Sequence, residues 1–147
     1  MLSVENDNKA LILRYYALFN RNDLPTEEVI APLASGFVYH RPGMPDVIGL
    51  MDMRQVVEIY RSAITDMHGG IEDLVAEGDK VACRWSGDAT HKGELLGVSA
   101  TSRAIMLTGI AIYRIADGKI QEEWDYTDLF GLMQQLGVSS LQGEDSG

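Results

Sequence analysis

Few side chains in this sequence can do chemistry, and they are scattered. Its three histidines, His40, His68 and His91, lie in separate segments, none at the i, i+4 spacing that puts two ligands on one helix face. Cys83 is the only cysteine, so there is no intrachain disulfide, no Cys-rich zinc arrangement and no zinc or iron signature. Gly93 to Gly97 lacks the Lys-Ser/Thr pair that completes a phosphate cradle. What remains suits proton transfer: carboxylates at Asp125 and Asp128, and imidazoles at His40 and His91. Asp125 sits in Trp124-Asp125-Tyr126-Thr127-Asp128, on a strand whose alternation turns every second residue outward. Two hairpin registers would place it on opposite faces, and the residue pattern leaves both open. Asp128 stands where a last short helix wants an N-cap, and capping is its expected role.

His40 ends a short strand before a Pro-Gly loop, so its ring could face a cavity mouth and donate to a carbonyl or pair with Asp125. A single loop hydrogen bond explains it equally well. His68 abuts Gly69-Gly70 and reads as a helix C-terminal residue drawn to the dipole. Arg84, inside the apolar run Val81-Ala82-Cys83-Arg84-Trp85, reads as outward-facing.

The elements that must position these groups follow from periodicity. A helix is expected from about Asn8 to Asn20, with Leu11, Tyr15 and Leu18 on one stripe and Ile12, Tyr16 and Phe19 beside it. Pro25-Thr26-Glu27-Glu28 opens a second, short helix ending near Leu33. Phe37 to His40 reads as a strand, and Pro42-Gly43-Met44-Pro45 as a loop. A long helix is expected from Leu50 to Met67, with Met53, Val56, Val57, Tyr60 and Ile64 buried and His68-Gly69-Gly70 ending it. Strands follow at Ile71–Glu77, Val81–Thr90, Arg103–Ile115 and Lys119–Tyr126. Gly78-Asp79 and Asp117-Gly118 turn two of them into hairpins. Asp128 to Leu136 reads as a short closing helix, and the C-terminal tail, 138–147, as flexible with its last residues frayed. Helices followed by a run of strands argue for α+β rather than a parallel βαβ sheet. A long helix and a curved antiparallel sheet can close as a cone with one mouth, a natural small-molecule pocket.

Composition bounds the partners. With 147 residues, 46% of them hydrophobic, the chain reads as a single domain with its core at about 8–137. Twenty-two acidic against 12 basic residues give a net charge of −10, which repels phosphate backbones and anionic lipid headgroups. Nucleic acid and membrane are therefore not expected as partners. The start lacks a signal-peptide pattern and no apolar run approaches the roughly 18 residues of a bilayer span. A cytoplasmic protein is the expectation. Ile110, Ile112, Trp124 and Tyr126 put more apolar side chains on the last two strands than one half-buried face needs. A homodimer or homotetramer through the outer sheet face would account for them.

Three stretches resemble the SnoaL-like polyketide cyclases of the nuclear transport factor 2-like superfamily. They are Ala89-Thr90-His91-Lys92-Gly93 continuing to Gly97-Val98-Ser99-Ala100-Thr101, then Tyr113-Arg114-Ile115-Ala116-Asp117-Gly118-Lys119-Ile120, and Trp124 to Asp128 running into Gln134-Gln135-Leu136-Gly137. The last is the most specific, and the resemblance spans Asn8 to Gly137. It implies a cystatin-like α+β barrel: a cone-shaped, curved antiparallel sheet packed against three helices. It also implies an intramolecular aldol closure of a small hydrophobic carbonyl compound, without metal or organic cofactor. The family's proton-transferring aspartate falls on Asp125, and its polarising histidine on Ala111. His91 lies in the Thr-His-x-Gly segment. Tyr15, Phe19 and Val56 fall on helical positions that line the ligand site, with Trp124 and Asp128 flanking the aspartate. A carboxylate in a water-poor cavity can deprotonate a carbon between two carbonyls, because the enolate is already delocalised. Ala111 removes a charge-stabilising donor, so another residue must supply it, or the reaction differs. Isomerisation of an enone and hydrolysis of an ester or epoxide are rivals on this scaffold. Non-catalytic binding of a small hydrophobic ligand is the rival from another class.

Overall fold

The first helix, α1 (Val4–Phe19), starts four residues before the expected Asn8, because the Ser3 hydroxyl accepts from the Asn6 amide and caps it. The computed structural model describes residues 3–138; the tail residues 139–147 lie outside the described residues. Ile12 and Tyr15 carry α1's stripe into the core. A four-residue helix, α2 (Thr26–Val29), ends sooner than its sequence suggested and releases β1 (Leu33–His40). After β2 (Val47–Ile48) comes the long helix α3 (Gly49–Ala63), then β3 (Ile64–Glu77), β4 (Lys80–His91), β5 (Ala104–Ala116), β6 (Lys119–Thr127) and α4 (Leu129–Gln135).

The six strands form one curved sheet in the order β2-β1-β6-β5-β4-β3. α1 packs on β3 and β4, and α3 on β1, so both helices cover the concave face. The α+β class and the antiparallel run β3 to β6 match the residue pattern. The four helices among the described residues are those of the residue pattern, α4 being additional to the three that the resemblance implies. Two features differ from that pattern. The sheet is mixed, because β1 pairs with β6 in parallel. The long helix stops at Ala63, where Ile64 is already extended, and not at Met67.

That early stop relocates His68. It lies exposed on β3 opposite Asp88, beyond an irregularity at which Asp66 takes a left-handed φ of 55°. It is no helix terminus, and a dipole plays no part. Gly69 and Gly70 punctuate nothing there. Gly69 faces Gly87 across the ladder, and a Cβ on Gly87 would come within 2.9 Å of Met67 Sδ. The glycines let two strands and a side chain approach closely, a use of glycine that a breaker reading cannot distinguish. The hairpin at Asp117-Gly118 is as expected, both residues having positive φ.

Two groups of buried side chains divide the interior. The larger joins α1, α3 and the Asp117-Gly118 end of the sheet around Ile12, Phe37, Val57, Val81, Tyr113 and Ile120. The smaller joins Ile64, Ala89, Ile105 and Leu107 to Leu132 and Leu136 of the last helix. Trp85 packs against both. Among the described residues no helix is long and apolar enough to cross a membrane.

Candidate functional site

Three rungs of the sheet build the floor of a cavity. Val81, Tyr113 and Glu123 are aligned across β4, β5 and β6, followed by Cys83, Ala111 and Asp125, then Trp85, Gly109 and Thr127. All face the concave side. A bulge explains why. The β5–β6 register shifts beside Gln121, so parity flips between buried Ile120 and the residues after it. Strict alternation from Ile120 would have turned Trp124 inward and Asp125 out. With the flip, Glu123 and Asp125 point in and are 5% and 9% exposed.

The cavity above this floor has a volume of about 150 Å³ and is lined chiefly by aromatic and aliphatic side chains. Tyr15, Tyr16 and Phe19 come from α1, Met53, Val56 and Tyr60 from α3, and Tyr39 from β1. Leu129 and Leu132 at the chain's end complete one side.

Two carboxyls in such surroundings cannot keep ordinary acidities. Burial pushes Asp125 up to about 6, although the Trp85 indole N–H, donating to Asp125 Oδ1 at 3.3 Å, pulls the other way. Glu123 is raised well above the usual range by burial and by the negative charge of Asp125. Tyr113 Oη donates to Glu123 Oε2 at 3.1 Å, and Tyr16 Oη lies 2.8 Å from Tyr113 Oη. The chain of contacts ends on Cys83, whose Sγ is 3.4 Å from Tyr16 Oη. Burial lifts that thiol to about 11, so it is no thiolate at neutral pH.

The structure brings together only part of the candidate set. Asp125, Tyr15, Phe19 and Val56 share the cavity. Ala111 is buried one strand away as the ladder partner of Asp125 and offers nothing polar. His40 is elsewhere: its Nε2 lies 2.6 Å from Glu122 Oε2 and its Nδ1 3.1 Å from Asp46 Oδ1, on the opposite face of the sheet from Asp125. The hydrogen bond that it donates to Glu122 holds its pKa above the usual histidine value. Trp124 is out there too, its ring stacked on His40 at 5.3 Å. The parity flip removes Trp124, while on β1 the inward Phe37 and Tyr39 leave His40, whose place at the cavity mouth was one of two expectations, on the outer face. Arg84 faces outward, paired with Asp73 at 2.7 Å.

His91 is fully buried yet not in the cavity wall. Its Nδ1 accepts from the Thr101 amide at 3.2 Å and lies 2.9 Å from Thr101 Oγ1, which ties the loop after β4 back onto the strand. That accepting role leaves the proton on Nε2, which has no hydrogen-bond partner among the described residues.

Asp128 caps α4, its Oδ1 accepting from the Gly131 amide at 2.9 Å. Asp128→Ala should therefore lower stability by about 1 kcal/mol, measured by thermal melting, and leave the chemistry at Asp125 intact.

Glu123 is the residue that the sequence reading missed. Its signal was present: it lies two positions from Asp125, so whichever face takes one takes the other. In the run Glu122-Glu123 it resembles a solvated charge, and only the bulge shows that the two glutamates part company.

A family model described as SnoaL-like polyketide cyclase matches residues 9–136. Aklanonic acid methyl ester cyclase DnrD from Streptomyces peucetius is 43% identical over 47 residues, 32% of this chain and 32% of that protein. The match thus spans about a third of that relative's length. AclR from Streptomyces galilaeus, a proposed hydroxylase, has a TM-score of 0.80 at 29% identity, covering 92% of this chain and 88% of its own. TsrD from Streptomyces laurentii has a TM-score of 0.79 at 28% identity, covering 94% and 99%.

Proposed function

We propose that this chain, which belongs to the SnoaL-like polyketide cyclase family, catalyses an aldol-type ring closure of a hydrophobic carbonyl compound, with Asp125 as both acid and base. The observation that carries this reading is a carboxylate nine-tenths buried in an aromatic-lined cavity, with a pKa near 6. Such a group is ionised at neutral pH and still basic enough to take a proton from carbon between two carbonyls. The C–H electron pair passes into the enolate, and the enolate carbon attacks a second carbonyl carbon of the same molecule. A carbon–carbon bond forms while the carbonyl π pair moves to oxygen. Asp125 then returns its proton to that oxygen, so the product is an isomer of the substrate and no other reactant is consumed. Tyr15, Phe19 and Val56 pack the substrate against the floor and keep water away.

The partial match to an aklanonic acid methyl ester cyclase supports an aromatic polyketide ester as the first compound to try. Incubation of the protein with aklanonic acid methyl ester should give a ring-closed product of unchanged mass. A product heavier by one oxygen would assign hydroxylation instead, and no conversion of this ester or related diketones would remove the cyclase reading.

We also infer that copies of the chain pair through the outer sheet face, where Ile110, Ile112 and Tyr126 are 55%, 42% and 66% exposed. Light scattering at micromolar concentration should give a dimer or tetramer, and a monomer would count against the pairing.

A further inference from the structure

Ala111 leaves the substrate oxygen without the donor that an enolate needs, and the adjacent rung of the sheet holds a group that can supply one. Glu123 lines the same cavity as Asp125, on the same strand face, about 7 Å along the chain. No cation pairs with either carboxyl among the described residues. The titratable neighbours that share this cavity or line its floor are Tyr15 and Tyr16 from α1, Tyr39 from β1, Tyr60 from α3, Cys83 from β4 and Tyr113 from β5. All of these are neutral at pH 7. Arg61 also reaches the cavity wall, but its Nη2 is spent on the carbonyls of Arg21, Asn22 and Leu24.

Two carboxylates so placed cannot both be ionised, and one proton stays. The partners decide where. The Trp85 indole can only donate, which favours an ionised Asp125. The hydroxyls of Tyr113 and Tyr16 can donate or accept, and so tolerate a neutral Glu123.

We propose that Glu123 is the second catalytic group of this cavity, a neutral carboxylic acid that hydrogen-bonds the substrate oxygen on which negative charge develops. The assignment rests on Asp125 being the base. Glu123 keeps its proton throughout: the bond broken is the substrate C–H, its proton goes to Asp125 and returns to the new hydroxyl oxygen. Donation from a neutral acid in a dry site stabilises the enolate without adding a cation.

Infrared spectroscopy of the intact protein at pH 7 tests the proton's location. Wild type should show a protonated-carboxyl stretch that moves in deuterium oxide, and E123Q should lose it. Bound 1-tetralone, a bicyclic ketone probe, should show its carbonyl stretch lowered in wild type and in E123Q, whose amide still donates. In E123L the stretch should return towards the free value. On a turned-over ester, E123L should lose about 10²–10³-fold in kcat, the scale of one lost oxyanion donor. E123Q should keep most of its rate and lose the fall in activity at high pH that ionisation of Glu123 produces. No protonated carboxyl in wild type, a band that survives in E123Q, or a tetralone shift absent from wild type or preserved in E123L would each overturn the proposal. If E123L does not fold, the E123Q band and pH profile decide alone. Failure of the Asp125 reading looks different: D125N would still turn over the ester, whatever the carboxyl band does.

Discussion

Asp125→Asn should lower turnover by roughly 10²–10⁴-fold and, above pH 6, make the protein more stable. The first effect follows from removing the base while keeping its shape and its contact with Trp85. The second follows from linkage. The folded-state pKa of Asp125 is raised to about 6 from an ordinary 3.8. Between those values the folded protein binds more protons than the unfolded chain, so its stability falls as pH rises through the window. Two units correspond to about 3 kcal/mol lost between pH 4 and pH 6 and above. Asparagine carries no charge and escapes that loss. Chemical denaturation at pH 4 and pH 8 should show the variant close to wild type at the first and about 1–3 kcal/mol more stable at the second. Unchanged turnover, or a variant less stable than wild type at pH 8, would refute the placement of a working carboxylate here.

Gly109→Ala should damage the site from one strand away. A Cβ at position 109 would lie 2.7 Å from Cζ2 and 2.9 Å from Nε1 of Trp85. The indole is wedged between both buried clusters and cannot swing aside freely. Displacing it should cost about 1–3 kcal/mol of stability, the range for an overpacked interior. Its N–H would leave Asp125, which loses the largest of the three hydrogen bonds, with Trp85, Glu123 and Thr127, that oppose burial. A hydrogen bond to a charged group is worth about 1.5–3 kcal/mol, so the acid limb of the rate profile should move up by about one to two pH units. Trp85→Phe keeps an aromatic ring but loses the indole N–H, and should reproduce the pH shift with less loss of stability. If Gly109→Ala melts like wild type with an unmoved profile, Trp85 does not orient Asp125.

Much of this was legible in the residues, and what was not has identifiable causes. The α1 stripe, the antiparallel hairpins and the Asp117-Gly118 turn are local, set by periodicity and turn chemistry within a few positions. The face of Asp125 was not, because one extra residue at Gln121 inverts the alternation and nothing in its side chain announces it. The same inversion carried Trp124 out of the site and hid Glu123, whereas His40 lies outside through the alternation of β1 itself. Gly69-Gly70 misled for another reason: close approach of Gly87 and Met67 is a tertiary requirement, visible only once β3 and β4 are side by side. The parallel pairing of β1 with β6 is likewise non-local and leaves no signature in either segment.

That pairing also has a kinetic consequence. β3 to β6 can zip together as a meander of two tight turns and one loop of residues 92–103, but His40 and Glu122 are 82 positions apart. Joining chain ends that distant costs about 4 kcal/mol of loop entropy, so β1 should dock after the meander has formed. Until it does, β6 is an edge strand, and Glu123 and Asp125 stand in water as ordinary ionised acids. Docking must then drive a proton onto the pair at the moment the cavity closes. Refolding should therefore take up protons in its slow phase and become slower as the solution is made alkaline, an unusual burden for a net acidic chain to carry on the strand that holds its chemistry.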